Sequence, residues 1–481
     1  MREAESRPDD VPAPFGAGPD IGPINALMAL SPLDGRYAAQ VADLRRYFSE
    51  FALMRYRFRV EIEWLIYVLR ELDLPGAPTL DDAGLCMLRG WSDEFEQRDA
   101  EAIKAHEQIT RHDVKAVEYY IRELLQRAEL PGLTPFVHLC CTSEDINNIS
   151  HALMLRDGMR DVWVPALEKC VGMLSSLAIS GASVPMVSRT HGQPASPTTI
   201  GKELAVFVAR LRRQQEILSR QTYLAKFSGA VGNYNAHVAA YPDIDWPDAA
   251  HAFIGSFGLH PNPLTTQIEP HDYLAEIFQL IVRVNTIIID LDRDVWSYIS
   301  FGYLRQQVYA GEVGSSTMPH KVNPIDFENS EANAGVSNAL LDHLALKLPV
   351  SRMQRDLSDS SAIRSIGTGI GHSLLSLKAC IAGLDKIDID AGQMRRDLEQ
   401  NWAVMAEAIQ TVLRKHGIES AYEQLKRATQ NRQFDATAMR AIVLEAGIPE
   451  PDRSALLAMT PAEFIGLAPM LAMSMLEGGN G

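Results

Sequence analysis

Across residues 274–298 apolar side chains recur at steps of three and four, at Leu274, Ile277, Phe278, Ile281, Val284, Ile288, Leu291, Val295 and Tyr298. On a helix these positions form one stripe about seven turns long. Globular helices average ~11–12 residues, so a stripe of this length is covered only by helices of similar length packed nearly parallel, which is a bundle. The chain offers partners of that kind near 144–179, 196–226, 325–346 and 368–383. A further helix is expected over 44–72, ending at the Pro75-Gly76 stop. Alternating β-branched runs bounded by turn residues are scarce. The chain reads as mainly α-helical, with long faces suited to packing between chains as well as within one.

A length of 481 residues is enough for about three domains. Pro131-Gly132 and the polar stretch near 384–390 divide it into a flexible tail at 1–20, an N-terminal helical domain at 21–131, a central long-helix domain at 132–384 and a C-terminal helical domain at 385–481. With 46% hydrophobic and 22% charged residues, neither global disorder nor low complexity fits. Lys and Arg number 45 against 61 Asp and Glu, a net charge of −16, which repels a phosphate backbone and makes nucleic acid an unsuitable partner. A small anion stays admissible, because a few Arg and Lys in a cleft reverse the local potential. Five cysteines without a C-x-x-C fit a reducing, cytoplasmic setting. No run of about 18 apolar residues is read as a membrane span, and no membrane partner is expected.

The least helical stretch lies at 311–324, between two long helices, and carries Ser315, Ser316, Thr317, His320, Lys321 and Asn323. Long loops of such composition are commonly functional; a plain solvated linker seldom gathers a serine pair, a lysine and an asparagine within nine residues that exclude acids. A second polar loop, 188–196, holds His191, which can exchange a proton near neutral pH or serve structure alone. Arg111-His112-Asp113 opens a helix, where Asp113 either holds the His112 tautomer or complements the helix end. Thr142-Ser143-Glu144-Asp145 reads as a capping box; capping alone accounts for it, although two hydroxyls at a helix N-terminus also suit an anion. The turn at 31–37 presents Arg36 and Tyr37 side by side. Arg352, Arg355 and Arg364 gather with Ser360 and other serines at 348–364, either a phosphate or carboxylate pocket or a solvated basic surface. No G-x-G-x-x-G, Walker loop or H-E-x-x-H occurs, which removes the usual support for a nucleotide cofactor or catalytic zinc.

The run GSSTMPHKVNP at 314–324 resembles the signature loop of the fumarase/aspartase superfamily. Within it, the chain from about residue 30 onward is similar to the bacterial-type adenylosuccinate lyases, in the blocks SPLDGRY, RHDVKAVEYY, TSEDINN, SRTHGQP, GNYNAH, TTQIEPHDY and LPVSRMQRDLSDS and in their order. The resemblance implies an all-α, three-domain fold whose central long-helix bundle assembles into a homotetramer, with active sites shared between subunits. It implies β-elimination of fumarate from two purine nucleotides, adenylosuccinate and the succinyl-carboxamide ribotide, with no cofactor and no metal. By the same match Ser315 is the general base, His191 the general acid, Glu328 the carboxylate that orients the histidine, and Lys321 a catalytic cation. Arg36, Tyr37, Arg111, His112, Asp113, Thr142, Ser143, Gln267, Ser316, Asn323, Asn329, Arg355, Ser360 and Arg364 fall on substrate-binding positions. A sister lyase for argininosuccinate, aspartate or malate would share the serine loop without needing Arg36, Tyr37 and Arg355. An inactive helical scaffold would not need Ser315, Lys321, His191 and Glu328.

Overall fold

The computed structural model describes residues 26–72, 74–307, 318, 321–418 and 435–477. Its principal helices, in chain order, are α1 (Glu50–Arg70), α2 (Asp82–Asp93), α3 (Gln97–Thr110), α4 (Asp113–Arg127), α5 (Ser143–Gly158), α6 (Val164–Ser180), α7 (Ile200–Ser219), α8 (Asp272–Ser300), α9 (Ile325–Lys347) and α10 (Ile366–Asp385). α11 (Ala406–Lys415), α12 (Ala436–Glu445), α13 (Asp452–Ala458) and α14 (Ala468–Glu477) follow. Strands are few: β1 (Pro185–Thr190) pairs antiparallel with β2 (Gln193–Thr199), β3 (Leu224–Ala225) parallel with β4 (His260–Pro261), and β5 (Leu304–Gln306) antiparallel with β6 (Ile387–Ile389).

The stripe on α8 is the heart of the core. Leu274, Ile277, Phe278, Ile281, Val284, Ile288, Leu291 and Val295 are buried, and Tyr298 is half-buried at its end. α8 packs on α9 and α9 on α10 over most of their lengths. A buried polar chain fixes how these helices slide against one another. Asn285 Nδ2 donates to Ser337 Oγ at 3.0 Å, Ser337 Oγ donates to the Gly369 carbonyl at 2.8 Å, Ser373 Oγ donates to Asn285 Oδ1 at 2.7 Å, and Trp163 Nε1 donates to Ser373 Oγ at 2.9 Å. A satisfied network of this kind specifies one register where apolar packing alone tolerates several. A second core, around Phe58, Ile62, Ile103 and Ile121, joins α1 to α4, and a third, around Met405, Ile409, Met439 and Leu456, joins α11 to α13. α14 returns to the bundle, burying Ala472 in the main core.

Two local expectations are corrected. The helix expected over 44–72 is broken at Ser49, whose extended backbone and side chain cap α1 by accepting from Ala52 N at 3.1 Å. The stretch 196–226 is helical only within α7: Pro194 and Pro197 lack the N–H a helix needs, and 193–199 pairs instead as β2. The segment Ser143–Ser180, α5 and α6 joined through one π turn at Met159–Trp163, is long and apolar enough by composition to cross a membrane. Its first turns nevertheless bury Glu144, Asp145, Asn147 and Asn148 among polar partners, and only a third of its most apolar window is buried within one chain.

α7 begins where it passes closest to the end of α6. A Cβ at Gly201 would collide with the Ala178 carbonyl oxygen and the backbone of Ala182. Gly201→Ala is therefore expected to cost about 1–3 kcal/mol. Gly172→Ala, on α6 with nothing near the added methyl, is expected to be neutral or to gain up to ~1 kcal/mol. Denaturant titration of the two variants checks the contrast.

Candidate active site

The site grows from the N-terminus of α5. Thr142 caps it, and Thr142 N donates to Asp145 Oδ2 at 2.8 Å, so the expected capping box is formed. Asp145 is also one half of a fully buried ion pair, with Lys226 Nζ 2.7 Å from its Oδ1. Ser228 N and Gly229 N donate to the same carboxylate, and Lys226 Nζ donates to the Gly229 carbonyl at 2.9 Å. These bonds fasten the loop after β3 to α5. From that loop the Ala230 carbonyl accepts from Gln267 Nε2 at 2.8 Å, and Gln267 Oε1 accepts from Arg355 Nη1 at 3.2 Å. Arg355 Nη2 meets Glu144 Oε2 at 3.3 Å. Gln267 and Arg355 thus converge beside the start of α5.

His112 caps α4, its Nδ1 accepting from Lys115 N at 3.2 Å while its Nε2 lies 3.5 Å from Ser143 Oγ. Asp113 does not hold this ring; the nearest approach is 3.9 Å. Its carboxylate instead bridges Arg57 Nη2 at 2.9 Å and Arg364 Nη2 at 2.8 Å. Burial would raise the Asp113 carboxyl, but the two guanidiniums and the Val114 amide outweigh it and bring it down to about 2. Arg57 is itself buried and donates to Asn147 Oδ1 at 2.8 Å. Arg364 also meets Glu50 at 2.9 Å, and Ser360 lies between Arg355 and Arg364 in the short helix Ser358–Ala362. Arg111 takes the left-handed turn that ends α3, φ 52°. Arg352 stands outside this gathering, exposed and paired with Asp356.

The remaining predicted residues lie elsewhere on the chain. Tyr37 donates to Asn329 Oδ1 at 3.4 Å, and the Arg36 guanidinium lies 5.8 Å from the Tyr37 ring centre. His191 stands exposed at the tip of the β1–β2 hairpin, where His191 (φ 52°) and Gly192 (φ 75°) both adopt positive φ, as a two-residue type I′ turn requires. Arg189 anchors the hairpin, 3.1 Å from Asp397 and over the Phe301 ring. Glu328, in the first turn of α9, accepts from Trp296 Nε1 at 3.2 Å. Within one chain His191 and Glu328 make no ion pair. Lys321 is exposed and Asn323 half-buried. Ser315 and Ser316 lie outside the described residues.

Sequence reasoning passed over Glu144, Glu269, His271, Asp359 and Lys226, all buried around Arg355 and Asp145. For all but Lys226 the signal was position, since each of the others lies within a polar motif already singled out. Glu144, His271 and Asp359 bring potential ligand atoms within 4.8 Å of one another. The Arg355 guanidinium, 3.3 Å from Glu144 and 3.8 Å from Asp359, already supplies the positive charge a metal would bring, so the group fits a metal poorly.

Residues 35–337 match a family model described as Lyase, and residues 351–465 match one described as Adenylosuccinate lyase C-terminal. The adenylosuccinate lyase of Escherichia coli (strain K12) is 47% identical over 446 residues, covering 92% of this chain and 98% of that protein. That of Legionella pneumophila (strain Corby) is 49% identical, covering 93% and 98%. The chain belongs to the adenylosuccinate lyase family. Its fold matches two solved structures at lower identity: a fumarate lyase from Mesorhizobium sp. BNC1 (TM-score 0.74, 19% identity, 91% of this chain and 98% of that one) and the 3-carboxy-cis,cis-muconate lactonizing enzyme from Pseudomonas putida (TM-score 0.72, 23% identity, 91% and 97%). An all-α architecture of the fumarase/aspartase kind is thereby shown.

Because Asp113 titrates lower folded than unfolded, its stabilising contribution is complete above about pH 4 and is lost as pH falls toward 2. Asp113→Asn leaves Arg57 buried without its carboxylate and is expected to lose about 3 kcal/mol at pH 7. It should also flatten the acid limb of stability between pH 4 and 2. Urea midpoints measured across that range check both.

Proposed function

We propose that the chain cleaves fumarate from adenylosuccinate, and from the succinyl-carboxamide ribotide, by β-elimination in a site shared between subunits. The observation that carries the reading is the convergence of His112, Ser143, Gln267, Arg355 and Arg364 at the start of α5 and α4, a cationic and hydrogen-bonding edge in a chain of net charge −16. Such an edge suits a substrate carrying carboxylates and a phosphate. The reading extends to Arg36, Tyr37, Arg111, Asp113, Thr142, Ser316, Asn323, Asn329 and Ser360 as substrate contacts.

The proton removed in this reaction lies beside a carboxylate, so negative charge spreads into an aci-carboxylate that needs fixed donors around it. In this reading Ser315 takes the proton, and Lys321 and Asn323 stabilise the charge that develops. The departing nitrogen receives a proton from His191, whose place on a tight hairpin tip leaves the imidazole exposed and reachable. Glu328 orients that imidazole from another subunit. A homotetramer is supported by the apolar residues left exposed on long helices: Ile179, Val206, Ile217, Trp296, Val336 and Leu346. Hydrophobic clusters lying almost wholly within 21–131 and wholly within 385–481 support helical domains there, and the main core centred on α8 to α10 supports the long-helix domain at 132–384 while also taking side chains from α1 and α14. The five cysteines, all free, suit a reducing cytoplasm.

Purified protein with adenylosuccinate and a chelator is expected to release fumarate, followed by the ultraviolet change, and to leave argininosuccinate, aspartate and malate intact. Ser315→Ala should lose ~10²–10⁴-fold in turnover with substrate affinity retained. His191→Asn should lose a similar factor, Asn being tolerant of the left-handed backbone at that tip. Turnover near the parent value in Ser315→Ala would refute the assignment of the base.

A further inference from the structure

We propose that His271 is a positioning residue: it steadies Asp359, and through Asp359 the Arg355 guanidinium, for the substrate's anionic group. The inference rests on the reading that Arg355 binds substrate.

Arg355 is held on two edges. Its Nη1 donates to Gln267 and its Nη2 meets Glu144, which leaves a second N–H on each of these nitrogens for an incoming anion. Its Nε faces Asp359 Oδ1 at 3.8 Å, too far for a hydrogen bond. Behind Asp359 stands His271, buried at the start of α8 in the left-handed conformation, φ 68°. Its backbone N–H donates to Glu269 Oε2 at 2.7 Å, and Glu269 is fixed in turn by Asn262 Nδ2 at 2.9 Å. The imidazole spans two carboxylates, with Nδ1 3.7 Å from Glu269 and Nε2 3.9 Å from Asp359.

Three atoms in this row are buried without a hydrogen-bond partner: His271 Nε2, Asp359 Oδ1 and Arg355 Nε. Buried polar atoms seldom stay unpaired, and a contraction of about 1 Å would bring the row into hydrogen-bonding range. That contraction seats the Nε edge of Arg355 on Asp359 and leaves its Nη edge turned to the substrate. A two-ended ring suits the position, because one nitrogen is tethered toward Glu269 while the other reaches Asp359. A side chain with a single polar end would serve only one of them.

Steady-state kinetics of His271→Asn, Asp359→Asn, Arg355→Gln and the His271→Asn/Arg355→Gln double variant test the proposal. Asn keeps the left-handed backbone but is too short to reach Asp359. His271→Asn and Asp359→Asn are each expected to raise KM about tenfold, the scale of one charge-assisted hydrogen bond, with kcat within about twofold. In the Arg355→Gln background His271→Asn should add nothing, and His271→Gln, whose longer amide can donate to Asp359, should restore part of the KM. If Arg355→Gln raises KM while His271→Asn does not, the positioning role is wrong and the site reading stands. If Arg355→Gln leaves KM unchanged, the reading of Arg355 fails and takes the proposal with it. Loss of kcat in His271→Asn that adds fully to Arg355→Gln would mark a merely structural residue and overturn the proposal. Should His271→Asn fail to fold, Asp359→Asn and His271→Gln decide by the same criteria.

Discussion

Lys226 and Asp145 form an ion pair with neither side chain exposed to solvent, and the described half of the active site is organised around it. Taking two charges out of water is costly, and the pair is tolerable only because its remaining polar valences are filled. Asp145 accepts from Thr142 N, Ser228 N and Gly229 N, and Lys226 donates to the Gly229 carbonyl. Removing either partner would strand a charge in the core. The pair fixes the start of α5, which carries Ser143 toward His112 and Glu144 toward Arg355, and it fixes the loop whose Ala230 carbonyl holds Gln267. Gly229 permits the tight approach, with φ at +79°.

Around this anchor the chain solves an electrostatic problem. Its net charge is −16, yet its proposed substrates are anions. The arginines that face them are therefore held by carboxylates, Arg355 by the buried Glu144 and Arg364 by the half-buried Asp113 and the exposed Glu50. Each carboxylate limits where its guanidinium can point while leaving other N–H groups free. The long bundle of α8, α9 and α10 gives the rigid frame, and its buried polar chain through Asn285 keeps the helices in one register. The proposed site residues gather on turns and helix starts, where the backbone can turn sharply, as at His191 in its hairpin and His271 before α8.

What could be read from the sequence was local. The α8 stripe, the Thr142 capping box and the long helices after residue 325 follow from neighbours three and four positions apart, and the structure contains them. The break at Ser49 was hidden because the apolar pattern continues across it, although the capping serine decides the local geometry. The strands at 185–199 were hidden because the polar stretch 188–196 shows no apolar alternation and carries Pro194. Asp113 was weighed against its neighbour His112, whereas its real partners, Arg57 and Arg364, lie 56 and 251 positions away. Periodicity carries no information about such contacts. The same holds for His271 and Asp359, which share a cluster only because α8 and the 351–365 segment meet in space. The chemistry of Ser315 and Ser316 rests on motif resemblance alone.

One chain does not bring His191 against Glu328, and the site proposed here draws its histidine from one subunit and its serine, with Glu328, from another. The direct test is to mix two inactive variants, Ser315→Ala and His191→Asn, under conditions that let subunits exchange. If the serine and the histidine of each site come from different chains, mixed assemblies contain some sites with both residues intact, and activity should return toward about a quarter of the parent value. Mixtures that remain as inactive as their components, with exchange demonstrated independently, would contradict the shared site.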